Sequence, residues 1–139
     1  MAPDGMVALS SGFGPKETME RLAAAVTSRG MTIFARVDHA GAAAKVGLEL
    51  PPTEVLIFGN PKVGTPLMQA AQTIAIDLPL RALVWEDGNG QTWLAYNDPT
   101  WLAKRHGADR GTARTLDGMA DALMQIAQEV AGPEAKRLA

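Results

Sequence analysis

Asp77, Arg81, Tyr96, His39 and Asn60 are the residues whose types and spacing could do chemistry in this chain. Asp77 and Arg81 are four apart, and in an extended, unbulged strand that spacing puts both side chains on one face. The Asp87-Gly88-Asn89-Gly90 stretch is a strong turn signal, and centring a two-residue turn on Gly88-Asn89 sets Trp85 opposite Thr92, Leu83 opposite Leu94 and Arg81 opposite Tyr96. An acid, a guanidinium and a phenol would then converge at the open end of a β-ribbon. Arg81 could clamp a carboxylate or phosphate with its planar fork while Tyr96 donates a hydrogen bond and Asp77 orients the fork. Leu83 and Leu94, next on the same face, would receive an apolar body, so the ligand expected is a small anionic or amphipathic molecule. The plainer reading of the same residues is a structural ion pair that pins Pro79 in an edge strand.

Gly59-Asn60-Pro61-Lys62-Val63-Gly64-Thr65 lies between a predicted strand and a predicted helix, as phosphate loops do. Its lysine is misplaced for a nucleotide loop, because Gly64 is followed directly by Thr65, and Pro61 and Pro66 remove amide donors. A tight turn in which Asn60 bonds its own backbone is the simpler expectation, with a weak anion site before the helix as the alternative. His39, after Asp38, would need further ligands to hold a metal, and only distant carboxylates such as Asp77 or Asp98 could join it. As a general base it would titrate in a useful range, which leaves a hydrolase or isomerase using His39 with Asp77 or Asp98 as an alternative reading. No catalytic residue, metal or cofactor is assigned. His106 fits the C-terminal dipole of a short helix, and Asp98 before Pro99 fits a helix cap. Trp85, Trp93, Trp101, Phe34 and Phe58 could line an apolar pocket, or could be core or dimer interface. Met68 and Met119 read as core filler.

These residues need elements to position them. An apolar run at 7–11 ends at Gly12 and reads as a strand. From Pro15, Met19, Leu22, Ala23 and Val26 recur at helical spacing, with Gly30 as the stop, which predicts a helix over 15–29. Strands are predicted over 32–38 and 53–58, the second apolar enough to be covered on both faces. A short helix is predicted over 42–46, and another from Thr65 as cap and Pro66 as first residue through Gln72. The 78–86 and 91–97 segments form the hairpin. A short helix follows Asp98-Pro99, and a long one covers about 112–131, stopped by Gly132-Pro133, with the tail expected to fray over 134–139.

The chain has 139 residues, which fits a single domain over 1–139 with its core over about 7–131. The formal net charge of -2 gives no general attraction to a phosphate backbone or an anionic membrane surface, so neither nucleic acid nor membrane is an expected partner. With no cysteine and two histidines, disulfides, thiolate metal sites and cysteine nucleophiles are excluded. No stretch reaches the ~18 apolar residues of a membrane-spanning helix, and the first residues carry no basic and apolar leader. A cytoplasmic location is the default expectation, although a removed signal peptide would leave the same sequence.

Several of these segments, taken in order, resemble the domain of unknown function 302 family: the run from Val55 through Gly59-Asn60-Pro61 to Met68, then Asp77-Leu78-Pro79-Leu80-Arg81, Val84-Trp85-Glu86-Asp87 and Tyr96-Asn97-Asp98-Pro99. The resemblance implies an α+β fold of β-α-β4-α type, mainly antiparallel, with helices on one face and an outline like the TATA-binding-protein group. It also implies a homodimer, and it implies no reaction, cofactor or ligand. A non-catalytic small-ligand or accessory binding module is therefore the expected role, beside the His39 enzyme and a purely structural interaction domain as alternatives.

Overall fold

The computed structural model describes residues 2–139. Five strands, β1 (Met6–Ser11), β2 (Thr32–Asp38), β3 (Thr53–Gly59), β4 (Leu80–Glu86) and β5 (Thr92–Asn97), form one sheet in the order β1-β5-β4-β3-β2. All four neighbouring pairs are antiparallel. The helices are α1 (Pro15–Ser28), α2 (His39–Lys45), α3 (Pro61–Ala70), α4 (Pro99–His106) and α5 (Ala113–Ala131), and a 3₁₀ segment covers Gln72–Asp77. This is the α+β arrangement expected, with α2, α3 and α4 inserted between its main elements.

The core lies between one face of the sheet and the pair α1 and α5. Strand alternation sends Val7, Leu9, Leu56, Phe58, Ala82, Val84, Leu94 and Tyr96 to that face, where Met19, Leu22 and Val26 of α1 and Leu123, Ile126 and Val130 of α5 meet them. Pro15 sits at the first position of α1, where its missing N–H goes unused. The last carbonyls of α5 are satisfied from outside the helix: Arg21 donates from Nε to the Val130 carbonyl at 3.0 Å and from Nη2 to that of Glu129 at 2.8 Å. A buried Ser11–Thr18 hydroxyl pair at 2.7 Å ties the end of β1 to α1.

Several expectations are corrected. The boundary between β3 and α3 is earlier than predicted: α3 begins at Pro61 with the Asn60 side chain accepting from Lys62 N at 3.0 Å, and Pro66 falls inside the helix. Asn60-Pro61 and Thr65-Pro66 carry the same cap-then-proline signature, and the first one starts the helix. The short helix α2 likewise starts at His39, not at 42, with Asp38 as its cap. Only one face of β3 is covered closely, since Leu56 and Phe58 are buried while Val55 and Ile57 are half-buried. The C-terminal tail is not frayed. It runs along β1, where Ser10 N donates to Lys136 O at 2.9 Å, Leu138 N donates to Ala8 O at 2.8 Å, and Leu9 bridges to Arg137.

Candidate functional site

The hairpin register decides the fate of the predicted Asp77, Arg81 and Tyr96 cluster. Asp87 N donates to Gln91 O at 2.9 Å and Gly90 N to Asp87 O at 3.0 Å, so the loop holds three residues, with Gly90 in the left-handed region at φ 79. A three-residue loop of this kind shifts the pairing by one position from a two-residue turn, and a one-residue shift moves side chains to the other face. Tyr96 therefore stands opposite Ala82, Leu94 opposite Val84, Ala95 opposite Leu83, and Trp93 opposite Trp85. The two indoles stack with centroids 6.2 Å apart. Arg81 is exposed on the outer face and pairs in register with Ile57, whereas Tyr96 is 7% exposed on the core face, where burial and then the negative Asp98 raise its phenol pKa.

Asp77 does not reach Arg81 either, because it ends the 3₁₀ segment and not a strand. Its Oδ2 accepts from Arg105 Nη1 at 2.8 Å and bonds His106 Nε2 at 2.5 Å, while His106 Nδ1 lies 2.9 Å from Thr73 Oγ1. Burial alone would raise the Asp77 carboxyl, but the His106 hydrogen bond and the Arg105 charge prevail and hold it below its ordinary value. His106 is thus a partner for two side chains of the 3₁₀ segment, beyond the dipole role expected of it. His39 follows β2 at one end of the sheet, while Asp77 and Asp98 lie at the opposite end, beside the start of β4 and the end of β5. The His39 pairing with either carboxylate is not formed. Asp98 caps α4, its Oδ1 accepting from Thr100 N at 3.0 Å, as its sequence position predicts.

Of the predicted site residues, Asn60 alone lines a cleft found among the described residues. This cleft has a volume of about 890 Å³ and opens where β3 ends and β4 begins, between α3 and α5. The last turn of α1 and the start of β2 complete its rim through Arg29, Met31 and Phe34. Its walls are mostly apolar, with Met68, Leu78, Met119 and Leu123 among them. Arg29, Lys62 and Arg114 line it as well, and no aspartate or glutamate does. Two mid-helix glycines face it, Gly64 of α3 and Gly118 of α5. A Cβ added to Gly118 would meet nothing within 4 Å, so the missing side chain leaves open space. Glycine in a helix interior is less favourable than alanine by roughly 1 kcal/mol, which makes Gly64 and Gly118 the sequence signal for this site.

The remaining aromatic candidates divide. Phe34 borders the cleft, Phe58 is core, Trp101 is exposed against Gly5, and Trp85 and Trp93 stack beside the turn. There the Trp93 indole donates to Asp87 Oδ2 at 2.9 Å; that bond and the Gln91 amide keep the Asp87 carboxyl below its usual range. Met68 and Met119 pack against the core as expected and also line the cleft.

The family model for the domain of unknown function DUF302 matches residues 7–126. The chain is 48% identical over 128 residues to the fluoride-specific ion channel FluC 1 of Brucella suis biovar 1, covering 92% of this chain and 50% of that protein. It is also 48% identical over 128 residues to FluC 1 of Brucella abortus biovar 1, covering 47% of that protein. The chain spans about half the length of the curated relatives it matches. No helix of the described residues is long and apolar enough to cross a membrane. Among solved structures, an uncharacterized conserved DUF302 protein from Bacillus stearothermophilus superposes with a TM-score of 0.81 at 19% identity, covering 92% of this chain and 99% of that one, a likeness of fold.

Proposed function

Because this chain belongs to the DUF302 family, whose description names no activity, we propose from its own geometry that it is a non-catalytic module that binds a small ligand in the cleft between α3 and α5. The observation that carries the reading is the pair of helical glycines on the walls of an 890 Å³ cleft. Close packing would normally fill such a space from the facing helices, and here both helices withhold a side chain. The volume is within the ~300–1,000 Å³ typical of sites for small organic ligands. Asn60 takes part at the rim; Asp77, Arg81, Tyr96 and His39 do not belong to the reading.

Thermal shift tests it. A ligand at one hundred times its dissociation constant stabilises its protein by ~2.7 kcal/mol. Gly118→Leu should abolish that shift with the fold intact, because the new side chain enters open space. A shift that survives the substitution would place the site elsewhere.

A homodimer is part of the same proposal. All seven residues of β2 are exposed, Ile33, Phe34 and Val37 among them, and β2 is an edge strand with one row of backbone groups unpaired. A second copy can add its own β2 across a two-fold axis, an isologous pairing that closes. Sedimentation of the purified chain at micromolar concentration checks this, and a monomer mass would end it.

A second, accessory reading rests on the Brucella relatives. They are named as fluoride channels, and this chain corresponds to about half of their length. On that reading a DUF302 module accompanies a channel segment and carries no channel itself. Co-expression with such a channel should change fluoride tolerance, and unchanged tolerance would remove the accessory role.

A further inference from the structure

The cleft has a direction. Arg114, Thr115, Gly118, Met119, Ala122 and Leu123 form a single stripe on α5, and at 1.5 Å rise per residue this stripe is ~13 Å long. Each end carries an arginine, and the two differ in whether it is already paired. Arg29, at the end nearer the C-terminal half of α5, is already engaged, with Glu129 Oε2 and Gln125 Oε1 each at 3.4 Å. Arg114, in the first turn of α5, has no ion-pair partner among the described residues. That first turn also carries the positive end of the helix dipole, and Thr112 at the cap makes no side-chain bond to it, its hydroxyl donating instead to the Ala108 carbonyl. Most of the remaining lining is apolar and rich in methionine, with Met31, Met68 and Met119, side chains that adapt to flexible apolar partners, and Asn60, Lys62 and Thr65 add polar groups on the α3 side.

We propose that the cleft takes a single-tailed amphiphile lying along α5, with an oxyanion head, carboxylate or phosphate, at Arg114 and the tail running towards Leu123 and Met31. The inference rests on the reading of the cleft as a ligand site and adds the class and orientation of the ligand. Length favours a linear tail over a compact ring system, because the ~13 Å stripe on α5, with Met68 and Leu78 also in the lining, gives an extended chain apolar contact along its whole extent. The head is anionic because three cations and no acid line the site in a chain whose net charge is -2.

Calorimetric titration of the full chain with decanoate, decyl phosphate, decanol, decyltrimethylammonium and inorganic phosphate tests each part. Decanoate and decyl phosphate should bind about tenfold or more tightly than decanol, the fold-change expected of a charge-assisted contact, and decyltrimethylammonium should bind more weakly still. Comparing octanoate with decanoate should give about a fourfold gain per methylene, the equivalent of ~0.8 kcal/mol per buried CH₂. Arg114→Gln should erase the preference for decanoate over decanol, and Arg114→Lys should restore most of it. If decanol and decyltrimethylammonium bind as tightly as decanoate, the head assignment is overturned and the cleft remains a ligand site. Inorganic phosphate binding as tightly as decyl phosphate would overturn the tail. If none of the tailed compounds binds, the amphiphile proposal is overturned, and the Gly118→Leu thermal-shift test decides the cleft reading separately.

Discussion

Along β1 the tail residues Lys136 and Leu138 make hydrogen bonds to Ser10 and Ala8 that a neighbouring strand would otherwise make, whereas β2, at the other edge of the same sheet, keeps all seven residues exposed. The contrast extends beyond the strands. Near β1, α4 packs against α5, Trp101 presses on Gly5, and Asp77 fastens the 3₁₀ segment to Arg105 and His106. Around β2 the chain is open: Phe34 is 53% exposed, and Val46 and Leu48, after α2, reach 72% and 65%. The cleft, with its two side-chain-free helix positions, borders this open side. Apolar exposure of this kind at an unpaired edge is where association is expected, and Arg36 is the feature that limits it. Its guanidinium binds Glu54 through Nε at 2.8 Å and Nη2 at 3.1 Å, and also reaches Glu20 at 2.9 Å. The closed side is a product of packing; the open side is where function is proposed.

The largest expected effect comes from opening the closed edge. Deleting residues 133–139 removes the two strand-like bonds to Ser10 and Ala8 and the Lys136 N bond to Ser10 Oγ. At roughly 1 kcal/mol per net hydrogen bond, chemical denaturation should show a loss of about 2–4 kcal/mol. Unchanged stability would mean that β1 needs no cover. A matched pair of glycine substitutions then sets the two sides against each other. Gly5→Ala should destabilise by about 2–3 kcal/mol, because φ 77 disfavours a side chain and a Cβ would overlap the Trp101 indole. Gly118→Ala should stabilise by up to ~1 kcal/mol, since the position is helical and the space is empty. Equal effects at the two positions would erase the distinction between a packed and an open side.

The Asp77 anchor gives a smaller, pH-dependent effect. Its folded pKa is depressed, so its stabilisation is fully present above the ordinary carboxylate value and is lost as pH falls through the depressed one. Asp77→Asn should therefore be less stable than the parent by ~1 kcal/mol at neutral pH, and the two urea midpoints should converge below about pH 4. A constant gap across that range would show that the carboxylate charge contributes nothing. Smallest in stability is Val37→Lys on β2, which should stay within about 0.5 kcal/mol because the site is exposed. Its visible effect should be on assembly, with the sedimenting mass falling to that of a monomer. A dimer that persists would move the interface off this edge.

Which segments form helices and strands was largely legible in the residues. Pro15, Gly30 and the Met19, Leu22 and Val26 spacing suffice for α1, and alternation suffices for β4, because each is a local preference that tertiary contacts reinforce. The family motifs added the order of elements. The candidate site was much less legible, and one residue explains most of the failure. Gly90 allows a three-residue loop as readily as Asn89 allows a two-residue one, and the choice sends Arg81 and Tyr96 to opposite faces.

By itself, the sequence determined the α+β class, the hairpin, the Asp98 cap and the absence of thiol chemistry, since these follow from backbone preference, hydrophobic period and composition. Only the tertiary structure decided which edge the tail seals, which carboxylate meets His106, and that Gly64 and Gly118 face one cleft from two helices. Those outcomes depend on which distant surfaces meet once the core is buried, and burial energy is indifferent to sequence separation. A period of 3.6 states which face of α3 or α5 is apolar, but the space left between two such faces is a property of both helices and the sheet together.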